Sequence, residues 1–387
     1  MKIAEVLQHS DIHAWLQMPY DIYKHDSNWI PHLRQDIIKV FDPQANKYFK
    51  EGKAIRWILK DDHGQAIGRI AAFHFPKLSA SQKFKVGGIG FFECINNQHA
   101  ANTLFDTAVD WLRLEGCDAV DGPINFGERD AFWGLLTDNF TDMSSYRMNY
   151  NLPYYQVLFE NYGFQTYFEQ WCYKRDVFVP VNEVFAKKQA NIATDPLFHL
   201  SNIRGRSLDQ VAQDFLSVYN NAWAGISGFK TMELRQAKAI MKSMKPILDK
   251  DIVIFAYYNN EPIGFYVNIP ELNEIFQHIN GNLNFWGKLK FLYYRYFGRR
   301  NTMVGLVFGV DKAYHGRGVE SAMIKFCETQ VLPKKTYKET IITWIGDFNP
   351  KMLKVMSNLD ATRYRTLITY RKMLNDKYPF ERCPIIS

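Results

Sequence analysis

The chain has no pair of cysteines in C-x-x-C spacing. Its five cysteines, Cys94, Cys117, Cys172, Cys327 and Cys383, are odd in number and far apart. That excludes a zinc ribbon and a dithiol redox motif, and predicts reduced thiols in a cytoplasmic protein. No apolar run approaches the roughly 20 residues that cross a bilayer, so no membrane span is expected. The opening stretch MKIAEVLQHSDIHAW is broken by polar residues too often for a signal peptide. A Gly-x-Ser-x-Gly elbow, a heptad run and a low-complexity tract are also missing. GNLNFWGK resembles a nucleotide phosphate loop only loosely, because its spacing is too long and Leu289 stands where a hydroxyl is required. His9 and His13 are four apart, but no third ligand accompanies them, so no metal is expected.

What remains describes an ordinary globular chain. At 387 residues it is long enough for two domains. A formal net charge of +7 suits an anionic cofactor or substrate and does not by itself point to nucleic acid. The aromatic content of 16% predicts large, ring-rich cores.

Periodicity predicts a mixed α/β protein. AIRWILKDDHGQAIGRIAAF reads as two strands around a turn, and VGGIGFFECI as a third. Gly87, Gly88 and Gly90 within that third strand predict a bulge or close packing. Leu104, Phe105, Ala108, Trp111 and Leu112 recur at helical spacing, and Gly116 marks the stop. The segment around Gly163 reads as a helix, a break and a strand. The second half repeats this order. Two helices over residues 207–248 precede a hairpin with Asn259-Asn260 in its turn, and a strand, a helix, a strand, a short helix and a closing strand follow. The layout predicts a distant internal duplication, with domains at 1–180 and 199–387 joined by a linker at 181–198.

The chemistry concentrates in VDKAYHGRGVESAMIKF, residues 310–326. A glycine-rich turn between a strand and an amphipathic helix presents free N–H groups at the positive end of that helix, which favours phosphate. Glycine permits close approach and unusual backbone angles, and Arg317 adds a charged donor. Val319, Ala322, Met323, Phe326 and Cys327 continue the run as one helical face.

These residues carry a resemblance. The second half, over roughly 199–375, resembles a GNAT acyltransferase domain. In that superfamily the strand-to-helix turn grips the pyrophosphate of acyl-CoA, and the motif positions fall here on His315, Gly316, Arg317, Gly318, Val319 and Glu320. TWIGDFNPKMLKVMSNLDATRYRTLITYRKM fits the downstream pattern, with Asn349 at the asparagine. YDIYKHDSNWIPHLR, FDPQANKYF and FFECIN are similar to phrases of a group of bacterial GNAT-like proteins of this length. Tandem GNAT halves also occur in aminoacyl transferases of peptidoglycan synthesis, in mycothiol synthase and in N-myristoyltransferase.

The resemblance implies two tandem GNAT-like domains, and acetyl-CoA or another acyl-CoA as co-substrate, with no metal. It also implies transfer to a small-molecule or peptide amine, with no nucleic acid as partner. Leu306, Phe308 and Val310 would lie along the pantetheine arm, on a strand that splays from its neighbour. His315, Gly316, Arg317, Gly318, Val319 and Asn349 would complete the cofactor site, and Asp347 and Tyr370 are the candidate proton-handling residues. Asp347 is equally suited to capping the next helix. Three departures stand out. His315 replaces the usual Gln or Arg, Glu320 replaces a small residue, and Met356 stands where many members carry a tyrosine as general acid. Glu320 and Met356 favour the alternative of an inactive GNAT-fold binding or sensor protein. The first half has NNQHAANT before its corresponding helix, so no CoA site is expected there.

NFWGKLKFLYYRYFGRR, residues 284–300, has five Lys/Arg and no acid. One reading of this segment is an RNA or membrane-surface patch; Trp286, Leu289, Leu292, Tyr293 and Tyr296 share a helical face, which predicts packing against the domain instead. The basic side is then free to attract an anionic acceptor.

Overall fold

Asn259 and Asn260 adopt φ of 48° and 65°, the left-handed pair that a tight hairpin demands and that asparagine tolerates. They join β9 (Val253–Tyr258) to β10 (Glu261–Pro270). The other strands are β1 (Lys2–Glu5), β2 (Lys53–Lys60), β3 (Ala66–His74), β4 (Val86–Cys94), β5 (Ala119–Gly122), β6 (Leu135–Leu136), β7 (Gln165–Asp176), β8 (Phe198–Asn202), β11 (Thr302–Val310), β12 (Glu339–Gly346) and β13 (Thr362–Met373). The computed structural model describes every residue except 181, 184–186, 188, 189, 191, 224–230, 335 and 387.

Among the described residues, the thirteen strands form one mixed sheet. Its order is β1-β2-β3-β4-β5-β13-β7-β12-β11-β10-β9-β8, with β6 attached to β13. Among the described strands, only β4–β5 and β11–β12 are parallel. The strands and helices expected around them are present. The strand β1 was not foreseen, because KIAE is too short and polar to show a period of two.

The last strand of each half lies in the other half's sheet. β13 runs between β5 and β7, and β7 runs between β13 and β12. A buried ion pair marks the exchange. Arg371 on β13 grips Asp121 on β5 with Nε–Oδ1 at 2.6 Å and Nη2–Oδ2 at 2.9 Å. The Arg371 guanidinium also lies 3.5 Å from the centre of the Tyr167 ring.

Alternation along the strands sends neighbouring residues to opposite faces. In the second half, Met303 faces the helix Val319–Val331, where it packs with Ala322, Met323 and Cys327. Val304 faces the other side and packs with Phe291, Phe276 and Ile341. That second side also carries the helices Leu208–Trp223 and Leu234–Met244, over Phe265 and Val267.

The helix Phe285–Phe297 corrects the sequence reading. Its expected packing face points outward: Trp286, Tyr293 and Tyr296 are 70%, 59% and 71% exposed. Gly287 and Phe291 are the buried residues. A Cβ on Gly287 would stand 2.0 Å from the Asn282 carbonyl oxygen, so the helix approaches the domain on its glycine side. A stripe of period 3.6 locates an apolar face but does not say that the core covers it.

A buried carboxylate joins the halves. Glu271 follows β10, and its Oε1 accepts backbone N–H groups from Tyr146 and Asn273, each at 2.9 Å. The Ser145 hydroxyl lies beside the same carboxyl. Burial pushes this carboxyl up from its ordinary 4.5 to about 7, against the pull of the two N–H groups. The folded state therefore favours the neutral acid. That contribution is complete below about pH 4.5 and is lost as pH rises through about 7. Glu271→Gln, neutral at every pH, should gain on the order of 2 kcal/mol over the native chain at pH 8. The gain should vanish near pH 4.5, and denaturant titrations at the two pH values would read the difference.

Candidate functional site

β11 and β12 pair in parallel from Thr302↔Glu339 to Gly305↔Ile342, and there the pairing stops. Two irregularities open the strands. Opposite β10, the register jumps from Val267↔Val307 to Asn268↔Gly305, leaving Leu306 as an unpaired bulge residue. On the far side, β12 shifts against β7 between Ile342 and Ile345. The result is a crevice whose β11 wall keeps backbone N–H and C=O groups without a β12 partner beyond Gly305.

The predicted wall residues divide. Leu306 is 45% exposed at the mouth. Val310 is buried against the helix Val319–Val331, and Phe308 packs edge-on against Tyr266 with ring centres 5.2 Å apart. Phe308 and Val310 thus offer the crevice backbone groups rather than side chains. An apolar cavity of about 30 Å³ lies beneath, lined by Met303, Ile324, Cys327, Thr340 and Ile342 among others.

β11 leads through Asp311 and a short turn to the glycines. Gly316 and Gly318 take φ of +77° and +87°, a region that side chains rarely adopt. Gly318 begins the helix Val319–Val331, and no side chain caps it. The first-turn N–H groups have no intrahelical acceptor, and they point along the positive end of the helix. The Arg317 guanidinium is exposed and lies 5.1 Å over the Tyr314 ring. Among the described residues it forms no ion pair with Glu320, which is half-buried within the first turn. The ring Nε2 of His315 is 3.0 Å from the Val310 carbonyl oxygen, so this histidine braces the turn and keeps only Nδ1 for a ligand.

The other predicted residues lie apart from this turn. Asn349, not Asp347, caps the helix Pro350–Asn358, accepting the Met352 N–H at 3.3 Å. Asp347 holds Arg382 instead. Burial raises its carboxyl above the ordinary range, and the Arg382 charge opposes that rise. Tyr370 is not brought to the crevice. It is fully buried in the core of the first half, opposite Gly122, and its hydroxyl donates to Glu160 at 3.0 Å. Burial and that carboxylate drive its phenol far above 10, which leaves it a poor proton donor to a thiolate. Met356 is buried with Tyr173, Ile345 and Leu359, so its position serves the core.

The first half repeats the geometry and closes it. β4 and β5 pair only from Val86↔Ala119 to Gly88↔Asp121, and the β3–β4 register slips near Phe91, whose φ is 51°. Here the chain itself fills the opening. The Ile124 N–H donates to the Ile89 carbonyl at 2.7 Å, and a Cβ on Gly90 would stand 1.9 Å from the Ile124 carbonyl oxygen. Asn97 caps the following helix, Gln98–Leu114, through the Ala100 N–H at 2.9 Å. A cavity of about 50 Å³ nearby contains Glu93, which receives the hydroxyls of Tyr23 and Tyr155 at 2.7 and 2.8 Å and faces Arg69 at 3.4 Å.

A mixed sheet, an opened parallel pair and an uncapped glycine turn define a recognisable frame. A tandem GNAT protein from the clavulanic acid biosynthesis pathway matches 98% of this chain and 99% of its own, with a TM-score of 0.55 at 9% identity. The chain has the tandem GNAT fold. A GCN5-related glucosamine N-acetyltransferase region of a fungal multi-domain β-N-acetylglucosaminidase matches 96% of this chain with a TM-score of 0.54 at 12% identity. The match spans 38% of that longer chain. In sequence, the chain is 24% identical over 380 residues to a bacterial ceramide synthase from Caulobacter vibrioides, covering 97% of this chain and 98% of the relative. It is 23% identical over 381 residues to protein YghO of Escherichia coli, covering 95% and 94%. No family model matches the chain. Among the described residues, no helix is long and apolar enough to cross a membrane.

Proposed function

We propose that this GNAT-fold protein is an acyl-CoA-dependent N-acyltransferase whose acceptor is the amine of a long-chain amino alcohol. The carrying observation is the crevice between β11 and β12, which runs from the bulge at Leu306 to the uncapped glycine turn. In this reading the pyrophosphate meets the N–H groups after Gly318, with Arg317 as the charged partner. The pantetheine arm pairs with the free backbone edge of residues 306–310. That places the thioester near the bulge. Bound acyl-CoA supplies the activated acyl group, and the chain holds it in register with the amine.

The acceptor class follows from the full-length similarity to a bacterial ceramide synthase, since a ceramide is the amide of a fatty acid and a long-chain amino alcohol. The exposed Leu306 at the crevice mouth suits such a substrate. In this reading the proton transfer is not assigned to Asp347 or Tyr370, which contact Arg382 and Glu160.

The test is release of free CoA thiol from acyl-CoA donors of increasing chain length, with a sphingoid base or a short amine as acceptor. Turnover is expected only with the long-chain amine, together with an amide product by mass spectrometry. Saturable acyl-CoA binding without turnover on any amine would assign the chain to the inactive binding-protein reading instead.

A further inference from the structure

The helix Phe285–Phe297 lies on the sheet face opposite the helix Val319–Val331, and the fold leaves most of it uncovered. Phe291 anchors it, stacked on Phe276 with ring centres 5.9 Å apart and packed with Val304 and Ile341. Tyr294 stacks on His278 at 3.7 Å. Arg295 donates to the Leu248 carbonyl oxygen at 2.8 Å, and Arg300 faces Asp249 at 3.7 Å. These contacts hold the underside. They leave Phe285, Trp286, Leu289, Tyr293, Tyr296 and Phe297 in solvent, with Phe297 78% exposed. So much contiguous aromatic surface on one helix marks a docking face.

The arrangement of charge identifies the occupant. At about 100° per residue, the exposed apolar side chains, with the exposed Leu292 included, span an arc of about 140°, and no cation lies inside it. Lys290 falls just beyond one border of the arc and Lys288 just beyond the other, both exposed. Arg299 is exposed directly past the end of the helix. Residues 284–300 contain no acid. Aromatic rings in the middle with lysines at both rims match a lipid surface, where rings enter the headgroup boundary and ammonium groups reach out to lipid phosphates. RNA would instead need cations interleaved with the rings on the contacting face.

We infer that the Phe285–Phe297 helix docks the protein on an anionic lipid bilayer, lying in the plane of the headgroups. The consequence for supply of acceptor rests on the proposed function. Val304, beneath this helix, is two residues before Leu306 at the crevice mouth. Docking therefore lays the membrane along the strand that carries the crevice mouth, and shortens the path of a long-chain amine to the thioester.

Sedimentation with vesicles tests the docking independently of any turnover. The full chain should co-sediment with vesicles of 70% phosphatidylcholine and 30% phosphatidylglycerol. Its affinity should be at least tenfold weaker for pure phosphatidylcholine or in half-molar salt, because the lysine contribution is screened. The triple variant Trp286→Ser, Tyr296→Ser, Phe297→Ser changes only exposed side chains. It should lose at least tenfold in vesicle affinity while its melting temperature and its acyl-CoA affinity stay unchanged. Equal vesicle binding by the native chain and the folded triple variant would overturn the inference. So would a native chain that ignores anionic vesicles, whether it instead binds RNA or forms a dimer that the triple variant abolishes.

Discussion

Gly318→Trp lowers acyl-CoA affinity by at least about a hundredfold, roughly 2.7 kcal/mol, and leaves the protein folded. Gly318 stands at the uncapped start of the helix Val319–Val331 with φ of +87°. An indole there occupies the space into which the first-turn N–H groups point, and it removes the approach that a pyrophosphate needs. The backbone strain of a side chain at that φ is about 1–2 kcal/mol, and because Gly318 is buried the indole adds crowding, so the melting temperature of the variant is measured alongside. Gly316→Ala is the control. It carries similar strain at φ +77°, but its added Cβ meets nothing within 4 Å. Calorimetric titration with CoA separates the two effects. A hundredfold loss in Gly318→Trp beside a small change in Gly316→Ala assigns the loss to blocked phosphate contacts. Unchanged affinity in a folded Gly318→Trp protein removes the turn from the site.

The second large effect is on stability. Arg371→Met should destabilise the fold by about 3–5 kcal/mol, because it leaves the Asp121 carboxylate buried and unpaired between strands of the two halves. The methionine also gives up the guanidinium packing over the Tyr167 ring. Adding Asp121→Leu should recover most of the loss, since the uncompensated charge causes most of it. Denaturant midpoints of the single and double variants decide the matter. A single variant within about 1 kcal/mol of the native chain would mean that water reaches Asp121.

Much of this fold was written in local patterns. Asn259-Asn260, Gly116 and the spacing of Leu104, Phe105 and Ala108 each carry their own geometry, so the elements they delimit were readable. The glycine turn was readable for the same reason, because Gly316 and Gly318 can adopt angles denied to other residues. The bulge at Leu306 left no mark in the sequence, since it depends on how β10 and β11 register. The fate of Tyr370 was equally hidden. The resemblance offered it as a substitute donor for the tyrosine that Met356 replaces, but β13 crosses into the other half and takes the tyrosine with it. The outward face of the Phe285–Phe297 helix could have been suspected from Gly287, the small residue that lets the opposite side approach the domain.

The exchanged strands also dictate an order of events at the ribosome. β5 and β7 emerge early, but the strand that lies between them, β13, occupies residues 362–373 of 387. Synthesis adds about 5–20 residues per second, so roughly ten seconds or more pass with both strand edges open. Open edges recruit other strands, from this chain or from its neighbours on the same message. The N-terminal half therefore cannot finish folding as a unit before its sequel is made. The nascent chain must be kept apart from others until β13 clears the exit tunnel.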